Sequence, residues 1–555
     1  MRAPRVQRAK KKIGREKQSG GESACDPLEE RMSWCVPLEE RLLVAAQYGR
    51  ARQVREMLRL RPRWKAARLW PALRLAIAND HVCVVRTLMR HAATPLDLHL
   101  GQMQFGRRQD GSTLLHTATK YGSLETAAHL LHAKTQVDST WPDELTPCAR
   151  AAACGHLGTV QLLLLSKADP TEGLAGILRD PSRDMSRDLA RVTQGRSQGR
   201  SQGRSQGRSQ GRSQSAAHGA RIVPMLALLL QAKADVDTAD ARSHTTPCFA
   251  AAEDGDEEAL ALLLAAKADV DKPATRSVYT CTAGVVVDRA VTPCKIAAHN
   301  GHTGALRLLL TAKACINRMT STDASTPCLL ATMHRHVAAL RLLVAAKADV
   351  DSASAFDGAT PCFCAAQMGD VALLRILLAA GADVNKPRTI GSVPCRIAVV
   401  HGHTQALQLL LRAKADADGR ATAGKTPCQT AAAAGRVAEL QLLLDAKADA
   451  DRAPDVDGAP ACFYAAQNGH ADALRMLVAH KADVDKPRAI DGATPCWIAA
   501  HLGLVSIVQL LLELKADVHK ARTKDRSIPR DVAAYCGHDE QVQLLHQHRP
   551  CGAPS

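Results

Sequence analysis

Thr-Pro-Cys recurs in this chain at 146–148, 246–248, 292–294, 326–328, 360–362, 426–428 and 494–496, with Val393-Pro394-Cys395 and Ala461-Cys462 in the same phase. From Cys294 onward the intervals are 34, 34, 33, 33, 34 and 34 residues, and Arg530 takes the slot after another 34. Such a period belongs to repeat architectures, in which each unit buries its apolar side only against its neighbours. Behind each tripeptide comes one pattern, seen as Ala297-Ala298-His299-Asn300-Gly301-His302, then Leu306-x-Leu308-Leu309-Leu310, then Ala312-Lys313-Ala314. Threonine caps a helix and proline fills its first turn, where a missing N–H is harmless. The alanine pair lets a neighbouring helix come close, glycine permits a turn, and the leucines face a core at helical spacing. The unit reads as helix–turn–helix. Asp357-Gly358 and Asp491-Gly492 suit the tight turn of a short hairpin joining one unit to the next.

These residues resemble the ankyrin repeat, whose signature runs Gly-x-Thr-Pro-Leu-His-x-Ala-Ala-x-x-Gly-His, then Leu-Leu, then Gly-Ala-Asp-Val-Asn. Ser112-Thr113-Leu114-Leu115-His116 and Gly381-Ala382-Asp383-Val384-Asn385 come closest to that wording. The resemblance implies an all-α solenoid of about fourteen units near 33 residues each, with short hairpin or loop connections. Weaker units fall around Gly49 and Asp80, a damaged one around Gly219 and a last one around Gly537. The expected organisation is a basic disordered tail over 1–38, a first block over 39–172, an insertion over 173–215, a second block over 216–548 and a short tail over 549–555. The final helix, Gln541 to His548, is more polar outward than the others, as suits a terminal unit. Two departures from the signature recur. Cysteine replaces its leucine, and the histidine that follows survives only at His116, which puts that residue's bond between hairpins in doubt. Lysine replaces the glycine ending the second helix at Lys134, Lys167, Lys233, Lys267, Lys313, Lys347, Lys414, Lys447, Lys481 and Lys515. A left-handed backbone at a non-glycine residue costs about 1 kcal/mol or more, offset by roughly 0.3–1 kcal/mol when a cation sits at a helix C-terminus.

The formal charge of +17 first suggests a polyanion partner. It is concentrated in residues 1–17 (+7), 50–68 (+7) and 195–214 (+5), leaving the remainder close to neutral. The charge therefore does not support a basic groove along the whole molecule, and any polyanion contact is expected at one end or on one loop. Residues 195–214 are five Gly-Arg-Ser-Gln units, expected to be disordered. They read either as expansion of a short DNA repeat or as a phosphorylation switch, each phosphoserine adding about −1.5 to −2. No apolar run approaches the roughly 20 residues needed to span a bilayer, and eighteen cysteines without an export signal fit a reducing compartment. The expected location is the cytoplasm, with the nucleus as the alternative.

The in-phase cysteines are expected to be buried thiols. Stacked helices lie about 8–10 Å apart, beyond the roughly 7 Å limit of a disulfide, and no Cys-x-x-Cys pair is present to anchor zinc. The Gly-His histidines His156, His302, His403, His470 and His538 are expected to start and cap the second helices. His299, His334, His401 and His501 fall one per repeat, which sequence spacing places too far apart to share a metal. No nucleophile–base pair or phosphate-cradling loop stands outside the repeats, so neither an enzyme nor a cofactor is expected. The resemblance implies a scaffold binding other proteins or peptides through hairpin tips and the concave ends of the first helices. By phase those ends carry Glu253 and Asp254, His299 and Asn300, Met333 and His334, Gln367 and Met368, Val400 and His401, Gln467 and Asn468, His501 and Leu502, and Tyr535. The alternatives are a nucleic-acid-associated or nuclear regulator using the basic N-terminus and the Arg-Ser-Gln loop and, lower, a ubiquitin-ligase substrate adaptor.

Overall fold

The computed structural model describes residues 37–60, 66–91, 114–133, 135, 137–138, 145–177, 222–240, 244–280, 284–318, 325–389, 391–419, 424–453 and 457–547. The N-terminal tail, the Gly-Arg-Ser-Gln units, Lys134, Gly219 and residues 549–555 lie outside them. The chain divides into two compact units, Met1–Asp169 and Pro170–Ser555.

Among the described residues, the first unit holds four antiparallel helix pairs: Leu38–Gln47 with Ala51–Leu60, Ala66–Ala78 with Val82–His91, Leu114–Tyr121 with Leu124–His132, and Pro147–Ala153 with Leu157–Leu165. The second unit begins with Pro170–Ile177, so helix extends past residue 172 into the stretch expected to be insertion. Helical residues 222–231 follow. Regular pairs then run from Pro247–Asp254 with Glu257–Ala265 to Pro529–Tyr535 with Asp539–Gln547. In each unit a first helix packs on its own second helix and on the first helices before and after it. The result is an all-α repeat solenoid.

The repeating residues explain the repeating geometry. Thr146, Thr246, Thr292, Thr326, Thr360, Thr426 and Thr494 each accept the backbone N–H three residues on, at 3.1–3.3 Å, with proline in the first turn. The in-phase cysteines, from Cys148 to Cys496, are all 0–1 % exposed beneath the alanine pairs. They act as small apolar side chains in a close helix–helix contact. Every described lysine in the glycine slot keeps the left-handed backbone, with φ between 61° and 69° from Lys167 to Lys515. The helix ending therefore survives the loss of glycine.

One connection differs. The interval from Cys248 to Cys294 is 46 residues, and the extra length forms an antiparallel hairpin of β1, Ala274–Thr280, and β2, Gly284–Val291. The other described connections are turns. At Gly358 and Gly492 the backbone is left-handed, and the preceding Asp357 and Asp491 carboxylates accept the N–H groups of Ala359 and Ala493.

Candidate functional site

The last turns of the first helices form an exposed strip in the second unit. No strip residue is buried, and Val400, Leu502 and Tyr535 are 37, 45 and 91 % exposed. Adjacent members interlock. Asn300 donates its amide to the Glu253 carbonyl at 2.9 Å, and Asn468 to that of Ala433 at 2.8 Å.

The rings of His299 and His334 meet edge to face with centroids 4.1 Å apart. Sequence spacing places these histidines too far apart to share a metal, whereas these two rings are in direct contact. His299 stands five residues after its repeat cysteine and His334 six, so they take diagonal positions, and side chains lean into the gap that separates the helix axes. Burial, and then the neighbouring His336, hold the His334 imidazole below its ordinary pKa. It adds a neutral, polarisable ring to the strip. Among the described residues no group of three or more metal-ligating side chains forms. Elsewhere along the strip, Trp497 stacks on His501 at 5.3 Å, and the Cys536 sulfur lies 3.5 Å from His501 Nδ1.

Beneath the strip, the Gly-His histidines do something other than cap. His156, His302, His403 and His470 sit at the N-cap position without a side-chain cap hydrogen bond. Each instead directs Nε2 to a carbonyl at the end of the preceding first helix: Lys120, Glu253, Gln367 and Ala433, at 3.0–3.2 Å. His81, His336 and His538 do the same to Gln47, His299 and His501. A carbonyl only accepts, so Nε2 carries the proton. Arg436 fills the slot once, donating to Val400 O at 3.0 Å. Where the slot is aspartate, at Asp256 and Asp370, the carboxylate caps its own helix. The strip is thus held from below by staples from His302, His336, His403, Arg436, His470 and His538, whereas the slots of Asp256, Asp370 and Leu504 supply none.

The slot of the signature histidine still carries a hydrogen bond to the next repeat at His116, Gln429 and Trp497. His116 Nε2 meets Leu145 O at 3.0 Å, Gln429 Nε2 reaches Ala459 O at 2.6 Å, and Trp497 Nε1 reaches Ser527 Oγ at 2.9 Å. Phenylalanine at 363 and 463 cannot hydrogen-bond, and Arg388 and Arg488 lie over those rings, as Arg522 does over Trp497. These guanidinium groups also hold the hairpin turns: Arg388 pairs with Asp357 at 2.9 Å, and Arg488 and Arg522 converge on Asp491 at 2.5 Å. The Arg488 hydrogen bonds above all keep the Asp491 carboxyl well below the usual carboxylate range, against the opposing effect of burial.

A third inter-repeat element was missed in the sequence. In the Ala-Asp-x-Asp turns, the backbone N–H of Asp269, Asp383, Asp449 and Asp517 donates to the side chain of Asp237, Asp351, Asp418 and Asp485, at 2.7–2.9 Å. Asp235 N–H reaches Thr171 Oγ1 at 3.3 Å across 64 residues, so the ladder passes over the insertion in one step. Burial raises the pKa of Asp418, Asp451 and Asp485, and their aspartate neighbours raise it further.

A family model described as ankyrin repeats in three copies matches residues 294–388 and 396–488, and one described as a single ankyrin repeat matches 491–524. Residues 294–524 are ankyrin repeats. Ankyrin repeats serve in general as protein–protein interaction scaffolds, and the stapled strip lies on the repeats matched here and on those flanking them. A comparison with curated proteins gives no match. No described helix of this ankyrin stack is long and apolar enough to cross a membrane.

Proposed function

We propose that this ankyrin-repeat protein is a scaffold that captures another protein or a peptide along the strip from Glu253 to Tyr535. The observation that carries the reading is the strip's composition on a rigid base. Exposed apolar side chains alternate with imidazoles, amides and a few carboxylates of no dominant sign, the chemistry of a protein interface rather than of a polyanion groove. The staples fix the carbonyls beneath it, so little ordering entropy opposes docking.

The proposed organisation is a first ankyrin block over 39–172 and a second over 216–548, separated by the low-complexity insertion. The strip belongs to the second block. A cytoplasmic or nuclear location accords with this role, and no reaction is proposed. Affinity capture with the intact chain and with a Met333→Ala, Gln367→Ala, Met368→Ala, Val400→Ala variant tests the reading. Because Met333 and Met368 also pack on the core around Phe363, their truncation lowers the melting temperature, so a second variant, Gln367→Ala, Val400→Ala, Leu502→Ala, Tyr535→Ala, changes only side chains outside that core contact. This second variant should lose the captured proteins at an unchanged melting temperature; a captured set identical to the parent's would refute the reading.

A further inference from the structure

The second helices of the first two repeats, Ala51–Leu60 and Val82–His91, lie side by side, and a cleft of about 660 Å³ opens along them. That volume falls in the range of roughly 300–1,000 Å³ typical of small-molecule sites. Leu58 forms part of the wall, and Arg55, Arg59, Arg86, Arg90 and His91 supply its polar groups.

The arrangement follows from helical spacing. Arg55 and Arg59 are one i,i+4 pair and Arg86 and Arg90 another, so two rows of guanidinium groups line one opening. Like charges at that spacing cost a few tenths of a kcal/mol per pair. Nothing on the cleft wall offsets the cost: no carboxylate lines it, and none of the four arginines makes an ion pair or hydrogen bond among the described residues. The Thr87 hydroxyl is committed to the Cys83 carbonyl at 2.7 Å, whereas His91 Nε2 is shielded from solvent with no hydrogen-bond partner among those residues. The field reaches the next second helix, where burial first and then Arg86 and Arg90 hold His129 below its ordinary pKa.

We propose that this cleft binds a compact polyphosphate, a molecule or headgroup carrying several phosphates on one ring or short chain. Guanidinium forks match phosphate oxygens two at a time, and a polyanion would relieve the repulsion between the rows. Each row spans about 6 Å of helix axis, so the four groups converge on one small anion instead of tracking an extended backbone. The site lies on the second-helix side of the first unit, separate in sequence from the protein-binding strip, and does not depend on it.

The test is titration calorimetry of the full chain with inositol hexakisphosphate. Saturable one-to-one binding is expected, weakened on the order of tenfold or more in Arg55→Ala/Arg59→Ala and in Arg86→Ala/Arg90→Ala, with a melting temperature of the free variants equal to or above the parent's. Arg86→Lys/Arg90→Lys, which keeps the charge and loses the fork, should bind with intermediate affinity. Vesicles containing a phosphatidylinositol bisphosphate separate the two sources: co-sedimentation lost in the same variants identifies a headgroup, and binding of the free compound alone identifies a soluble ligand. Absence of saturable binding overturns the proposal. So does equal binding by the alanine variants, which would assign the anion to the basic N-terminal tail. Tighter binding of a short single-stranded RNA, abolished by the same substitutions, assigns the cleft to nucleic acid and also overturns it.

Discussion

His336 Nε2 lies 3.0 Å from the carbonyl oxygen of His299, one repeat earlier, and its ring packs directly against Gly301. A Cβ on Gly301 would overlap the His336 Nδ1, and the glycine backbone is left-handed with φ 77°. Two separate requirements therefore fall on one residue.

They can be measured apart. Gly469 has nearly the same backbone, φ 75°, and nothing within 4 Å of its missing Cβ. Gly469→Ala should cost about 1 kcal/mol, the left-handed penalty alone. Gly301→Ala should cost at least about 1 kcal/mol more, because the staple must break or shift. Urea unfolding of the two variants checks this, and equal costs would mean that the histidine yields freely.

The in-phase cysteines give the chain an alkaline limit. Burial pushes Cys248, Cys294, Cys328, Cys362, Cys395, Cys428 and Cys496 up to about 12 from an ordinary 9.0. A raised folded value means that the unfolded chain releases these protons first. Their contribution is complete below pH 9 and is lost as pH rises toward 12. Unfolding midpoints should fall steeply over that window and less steeply in Cys294→Ala/Cys328→Ala/Cys362→Ala. At pH 8 a thiol reagent should label the exposed Cys83 and Cys315 while these seven remain unreacted until denaturant is added.

The aspartate ladder carries the same sign for a different group. Asp451 accepts the Asp483 N–H at 3.2 Å, and its raised pKa means that its charge is disfavoured in the folded chain at neutral pH. Asn317 and Asn385 already fill equivalent ladder positions, accepting the N–H groups of Asp349 and Asp416 at 2.9 and 2.8 Å. Asp451→Asn should therefore be neutral to stabilising at pH 7. The gain should shrink as pH falls through the raised value toward the ordinary carboxylate value, where wild-type Asp451 is protonated in both states. Unfolding curves at pH 7 and pH 4 check it; a loss at pH 7 would show that the ladder needs the charge.

What was legible in the sequence was whatever a single unit specifies. Thr292-Pro293 gave a capped helix start, the Leu306–Leu310 cluster a core face, and Gly301 a left-handed turn. What was not legible joins residues in different units, because periodic patterns report which face a side chain shares and not which partner it meets. The Gly-His histidine was misassigned as a cap on its own helix when its bond runs to the helix before. The Arg388–Phe363 and Arg488–Phe463 contacts did leave a trace, in Lys-Pro-Arg at 386–388 and 486–488, each arginine 25 residues after its aromatic. The offset that joins His299 to His334 needed the stacking geometry itself.

Residue-specific photo-crosslinking tests the central claim, that partners dock on the first-helix ends, most directly. A photoreactive phenylalanine analogue is placed at Gln367, on the strip, or at Arg375, exposed on the second helix of the same repeat. The two chains are irradiated in the same extract. Discrete protein adducts are expected from position 367 and none from 375. Adducts from 375 with none from 367 would contradict it.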